Sequence, residues 1–175
     1  MNSDTMTDVK TLRERARKNI DEGAVTESYP ADREEVIVLL NAALATEIVC
    51  TLRYRRHYFM ANGLNAEAVK AEFLEHANVE LQHADKIAER IVQLGGQPDF
   101  NPETLTKRSH AEYRAGTTLE DMIKEDLVAE RIAIDSYREM IRYCGDRDST
   151  TRRMLEEILA MEEEHAEDLS SLLAK

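Results

Sequence analysis

The chain has 175 residues, of which 42% are apolar, enough to close one core of ordinary size in a single domain. Trp is absent, aromatics make up 5% and prolines number three, while Ala, Leu, Glu and Arg recur throughout, which is the composition of helices rather than strands. The formal charge of −12 excludes a protein that neutralises phosphates over its whole surface and suits one that attracts cations, unless the acidity is only a solvated exterior.

In chain order, residues 7–22 have the pattern of a short helix, with Val9, Leu12 and Ala16 on one side and Lys10, Arg13, Arg15, Arg17 and Lys18 elsewhere. The loose stretch GAVTESYP follows, so residues 1–31 read as an extension to a main domain at 32–175. Nothing in the first thirty residues resembles a secretory signal, and no later segment approaches ~20 uncharged apolar residues. A soluble cytoplasmic protein with no membrane partner is expected. Cys50 and Cys144 lie within helical patterns and not in metal-knuckle spacing, so both should be free buried thiols.

The first long helix should start near Asp32 and stop at Gly63; Asn65 then opens a second, which stops at Gly95 and Gly96. Residues 97–116, with two prolines, are too long for a tight turn and should cross the length of the molecule. Thr117-Thr118-Leu119-Glu120 has the spacing of a capping box, so a third helix should begin there and reach Gly145. The segment DRDST caps a fourth, which continues to the C-terminus. Helices of roughly 27 to 31 residues would each be about 40 to 47 Å long, and the connections make two antiparallel helical hairpins joined by one long crossover.

The apolar stripe of the first long helix is Val36, Leu40, Leu44, Glu47, Thr51 and Tyr54, so a carboxylate interrupts the face that should be driest. The third repeats this as Ile123, Leu127, Glu130, Ile134, Tyr137 and Ile141. On the second the stripe is Phe73, Ala77, Glu80, His83, Ile87 and Ile91, and on the fourth Leu155, Ile158, Glu162, His165 and Leu169. Glu-x-x-His therefore occurs twice on inner faces, and residues three apart on a helix can approach the same ion. The halves also agree in spacing, since 80 − 47 = 33 and 162 − 130 = 32.

Buried unpaired carboxylates cost several kcal/mol each, and divalent ions remove that cost. Four carboxylates and two imidazoles suit iron or manganese and tolerate zinc. The predicted centre is thus Glu47, Glu80, His83, Glu130, Glu162 and His165, holding two metal ions. Tyr54 is expected to act beside it through its hydroxyl. Tyr137 is read first as a packed ring with one satisfied hydroxyl.

With these residues in place, the chain resembles the ferritin-like di-iron superfamily, most closely its bacterioferritin and Dps-like branches. The resemblance covers roughly Asp32 to Lys175, with ELQHADKIAERI matching the family's E-x-x-H-A-D segment and ILAMEEEHAEDL its second E-x-x-H. By this resemblance Glu47 and Glu130 would be terminal carboxylates, Glu80 and Glu162 bridges, and His83 and His165 the nitrogen ligands. It implies an all-α, ferritin-like four-helix bundle and a ferroxidase that oxidises Fe(II) with O2 or H2O2 and stores Fe(III). Bacterioferritins bind haem through a Met directly after the second helix's ligand Glu; Leu81 stands there, so no haem is expected. With ten residues after His165, the family's fifth helix is not expected, and the N-terminal segment and longer crossover lead to the expectation of a smaller Dps-like cage, a homo-oligomer of dodecamer type. The rival readings are a non-storage di-iron or di-manganese redox enzyme of peroxidase or catalase type, and an inert helical oligomer.

His76 with Glu75 would form an accessory site of ion admission, though surface placement of His76 is the commoner outcome. Cys50 is read as a small buried hydrophobe. His57 and His110 carry no assigned role, and Arg53, Arg55 and Arg56 are expected to pair with acidic neighbours at a subunit contact. The basic N-terminal run is faintly similar to the DNA-holding tails of some Dps proteins, but Asp8, Glu14, Asp21 and Glu22 dilute it, and nucleic acid is not expected as a partner.

Overall fold

Asp32 starts the bundle: its side chain accepts from the Glu35 N–H, and Glu34 and Glu35 lie in the first turn, where the helix dipole favours them. The computed structural model describes residues 6–63 and 66–174, which form six helices and no strand. Helix α1 (Val9–Lys18) is capped by Asp8 and buries none of its residues; Asn19 closes it, so it is shorter than the expected 7–22. Helix α2 (Arg33–Met60) ends three residues before Gly63, because Ala61 is already extended. Its most apolar stretch, with mean hydropathy 1.8, is long and apolar enough to cross a membrane by length and composition alone, although Glu47 interrupts it. In the bundle α2 is instead the core helix, and it buries charged side chains as well as apolar ones.

Helix α3 (Ala66–Gln93) closes with the Gly96 N–H on the Ile91 carbonyl and Gly95 at φ +81°, a left-handed turn that glycine adopts without strain. The expected start at Asn65 lies outside the described residues. The crossover contains a one-turn helix, α4 (Leu105–Arg108), which is too short to leave a periodic signal; its Leu105 packs on Ala45 and Val49 of α2. Helix α5 (Leu119–Cys144) is capped by Thr118, which accepts from Asp121 N–H, while Asp121 accepts from Thr117. The cap is therefore Thr118, one residue later than the box read at Thr117 and Glu120, and Asp121 returns its bond to Thr117. Helix α6 (Ser149–Leu173) is capped by Asp148, as DRDST implied.

The long helices have 28, 28, 26 and 25 residues. Helix α2 packs along α3 and α5 along α6, and α2 to α5 and α3 to α6 contacts close the four-helix bundle around one axis. One apolar layer gathers Leu40, Leu44, Ile87, Ile91, Tyr137, Leu155 and Ile158; a second gathers Tyr54, Phe73, Ala77, Ile123, Leu127 and Leu169. Between them, at mid-length, the stripes of all four helices carry Glu, and those of α3 and α6 carry His as well.

Two buried charge networks tie the ends together. Arg53 and His57 both meet Asp126 at 2.7 Å, and they also hold the crossover through the carbonyls of Glu112, Arg114 and Ala115. Arg53 thus pairs inside its own chain and not at a subunit contact; Arg55 meets Asn78, and Arg56 the Ala115 carbonyl. At the other end Arg90 meets Asp148, which also accepts from Tyr29 and so fastens the segment before α2.

Candidate metal centre

Glu47, Glu80, His83, Glu130, Glu162 and His165 are each at most 3% exposed, and the structure brings all six together. They form two groups whose oxygen and nitrogen atoms lie within 4.8 Å of one another: Glu47, Glu80, His83 and Glu162 in one, Glu80, Glu130, Glu162 and His165 in the other. Glu80 and Glu162 belong to both, the place of bridging carboxylates. The Glu-x-x-His spacing stacks Glu80 under His83 and Glu162 under His165, so α3 and α6 each offer one residue of each kind.

The distances are short across the bundle. His83 Nδ1 lies 2.9 Å from Glu162 Oε1 and 3.4 Å from Glu47 Oε2, and His165 Nδ1 lies 3.2 Å from Glu80 Oε1. Yet Glu47 Oε2, Glu80 Oε1, both Glu162 oxygens and both Nδ1 atoms lack a hydrogen-bond partner of acceptable angle. These lone pairs converge on shared space rather than on each other. Burial without such a partner costs at least 1 to 3 kcal/mol per group, about the penalty that a hard divalent cation would remove.

The electrostatics describe the same strain. Burial, then the charge of Glu80, pushes Glu47 up to about 8, and burial with the charges of Glu80 and Glu162 raises Glu130 well above the carboxylate range. Burial opposes protonation of the imidazoles, but Glu162, Glu47 and Glu80 overcome it at His83 and push it up to about 12; Glu162 and Glu80 push His165 up to about 9. Ion-free, the cluster takes up protons to offset its carboxylates. A cation would displace them, because imidazole binds metal only when neutral.

Two tyrosines cross the bundle to the outer carboxylates. Tyr54 on α2 donates to Glu130 on α5, and Tyr137 on α5 donates to Glu47 on α2. Both hydroxyls therefore act on the centre, Tyr137 included. His76 is 2% exposed, not a surface residue, and its ring stacks on that of His165 with centroids 3.9 Å apart. Its Nδ1 lies 3.2 Å from the Tyr54 hydroxyl, and its partners at the edge are Glu72 and Asp168, not Glu75. Burial, then the charge of His165, lowers His76 to about 3, so it is neutral. Cys50 and Cys144 are free and buried. Leu81 is half exposed on α3. His110, on the crossover, lies between an outer cleft beside Glu35 and Glu139 and a small void that touches Glu47 and Tyr137.

A four-helix bundle with one long crossover and a doubled carboxylate and Glu-x-x-His set defines a protein of the ferritin-like di-metal class. The comparisons agree. The family model described as Ferritin, a ferritin-like domain, matches residues 37–175. A bacterioferritin of Mycobacterium avium is 31% identical over 144 residues, covering 79% of this chain and 84% of its own. One from Brucella melitensis is 31% identical over 145 residues, covering 81% and 86%. A dodecameric thioferritin, the bacterioferritin-related protein of Bacteroides fragilis, superposes with TM-score 0.79 at 30% identity, covering 94% of this chain and 92% of that one. Dps from Thermosynechococcus elongatus shares the fold, with TM-score 0.78 at 23% identity over 81% and 92% of the two chains. The chain belongs to the ferritin family, among the relatives of bacterioferritin.

Proposed function

We propose that this protein oxidises Fe(II) at the buried six-residue centre and stores the Fe(III) product in a homo-oligomeric cage. The observation that carries the reading is the convergence of four carboxylates and two imidazoles whose buried lone pairs have no partner of acceptable angle. Two Fe(II) ions are the substrate and each gives up one electron. Dioxygen takes the pair with two protons to become hydrogen peroxide, or hydrogen peroxide takes it to become two hydroxide ions. Glu80 and Glu162 span both ions, Glu47 and Glu130 each hold one, and His83 and His165 complete the set. Tyr137 and Tyr54 hold the outer carboxylates Glu47 and Glu130 in place.

Assembly has its own support. Val38, Leu52, Phe59, Leu81, Val92 and Val128 are exposed apolar side chains on the long helices, surface that a partner copy would cover. The dodecameric state of the Bacteroides fragilis thioferritin makes a cage of that size the first to test. The acidity of the chain, −12 overall, suits the attraction of Fe(II) and the lining of a mineral cavity.

The test is native mass together with Fe(II) oxidation by each oxidant, for wild type and Glu130→Ala. Loss of rapid oxidation in the variant is expected, with iron retained in wild type well beyond the two ions of the centre. An unchanged rate would remove the proposed centre, and a monomer that retains only those ions would remove storage.

A further inference from the structure

The edge of the bundle beside the centre holds a second arrangement of ligand atoms. Glu72, His76 and Asp168 each present one donor, and the three lie within 4.8 Å of one another. Glu72 and Asp168 side chains are 38% and 49% exposed, whereas that of His76 is 2% exposed. The cluster is therefore open to solvent on its acidic side and closed behind by the imidazole.

The hydrogen bonds of the His76 ring bear on where its lone pair points. With the Tyr54 hydrogen given to Glu130, the Tyr54 oxygen is an acceptor toward His76. In the tautomer that donates to it from Nδ1, 3.2 Å away, Nε2 is a bare lone pair. That lone pair faces Glu72 Oε2 and Asp168 Oδ2, each 3.8 Å away and beyond hydrogen-bond reach. Three acceptors oppose one another with no hydrogen among them. Two carboxylates and a neutral imidazole offset one divalent ion in charge and offer it three ligands of suitable hardness.

We propose that Glu72, His76 and Asp168 form a third divalent-cation site at the outer edge of the six-residue centre, with His76 lying between its two carboxylates and the inner residues Glu130 and His165. The proposal rests on the structure's placement of these side chains and does not require that the inner centre oxidise iron. Its position on the exposed acidic edge makes it the first ligand set that an ion from solvent meets on that side of His165. His76 joins the two sites by contact: Nε2 serves the outer ion, Nδ1 holds Tyr54, and Tyr54 holds Glu130.

The test is crystals of the assembled protein soaked in Zn(II), read by anomalous diffraction at the zinc edge, with zinc per chain measured by equilibrium dialysis. The expected result is a zinc ion at about 2.0 to 2.1 Å from His76 Nε2, lost in the Glu72→Gln/Asp168→Asn double variant together with one zinc per chain. Glu47→Ala, which disturbs the inner centre on its far side and leaves Tyr54, Glu130 and His165 in place, keeps the zinc on His76, so failure of the two sites is read separately. Both positions changed in the double variant are solvent-facing, and native mass verifies its assembly. No zinc at His76 Nε2 in saturated wild type, or the same zinc in the double variant, overturns the proposal.

Discussion

Tyr54 shares a helix with Glu47 but donates its hydroxyl hydrogen to Glu130, on the opposite hairpin. Tyr137 returns the relationship by donating to Glu47. Each outer carboxylate is therefore held by the helix that does not carry it, and the two hairpins fix each other's ligands. Replacing Tyr54 by Phe keeps the ring and removes this hold together with the contact of the hydroxyl to His76 Nδ1. Fe(II) oxidation and Zn(II) affinity should fall about 10-fold, the lower end for loss of a group that orients a metal ligand. Equal values for wild type and Tyr54→Phe would reduce Tyr54 to a packing residue.

Metal binding should release protons. In the ion-free protein Glu47 titrates near 8, His165 near 9 and His83 near 12, so all three hold protons at neutral pH and must lose them to become ligands. Titration calorimetry of Zn(II) in buffers of different ionisation enthalpy should give a net release, and the loaded protein should melt higher. At a free ion concentration of 100 times Kd the gain is about 2.7 kcal/mol. A binding enthalpy independent of buffer would contradict these protonation states.

Acid should attack the protein at Asp148. Burial alone would raise its pKa, but hydrogen bonds from Thr151 and Tyr29 and the charge of Arg90 hold it below the ordinary carboxylate value. A depressed carboxyl contributes stability that is full above the unfolded pKa of about 3.9 and is lost as pH falls through the folded value. Asp148→Asn leaves Arg90 buried without its charge partner and should cost about 3 kcal/mol at neutral pH. Below about pH 4 the variant should lose less further stability than wild type. Denaturant unfolding at several pH values measures both slopes.

Asp126 holds two buried partners, the guanidinium of Arg53 and the imidazole of His57, and with them the crossover carbonyls they reach. Removing it by Asp126→Ala should cost about 3 to 5 kcal/mol, the range for breaking a buried pair from one side. Proteolysis should then begin in the crossover between α3 and α5. A variant as stable as wild type would mean that water replaces the carboxylate without penalty.

The four long helices and their order are legible in the sequence because each carries a 3.6-residue stripe, a capping residue and a glycine or loop stop. The six centre residues are legible as charge where the stripe demands apolar side chains. What escapes has no such contrast. Asp126 and Arg53 sit off the stripes and become partners only through their approach at 2.7 Å, which sequence spacing does not encode. His76 reads as a surface residue because its burial comes from Tyr54 and His165, on two other helices. Tyr137 reads as a packed ring because its target, Glu47, is 90 residues away.

The repeat of 33 and 32 residues between each outer carboxylate and its Glu-x-x-His bears on how such a centre can arise. Each hairpin owns half a donor set, one lone Glu and one Glu-x-x-His, and neither half can neutralise its own buried charge. A single hairpin of this pattern, paired with its own copy about a two-fold axis, would rebuild the full set. The crossover then makes permanent, within one chain, a partnership that two identical hairpins could form by symmetry. A peptide spanning α2 and α3 is the unit from which to rebuild the full donor set.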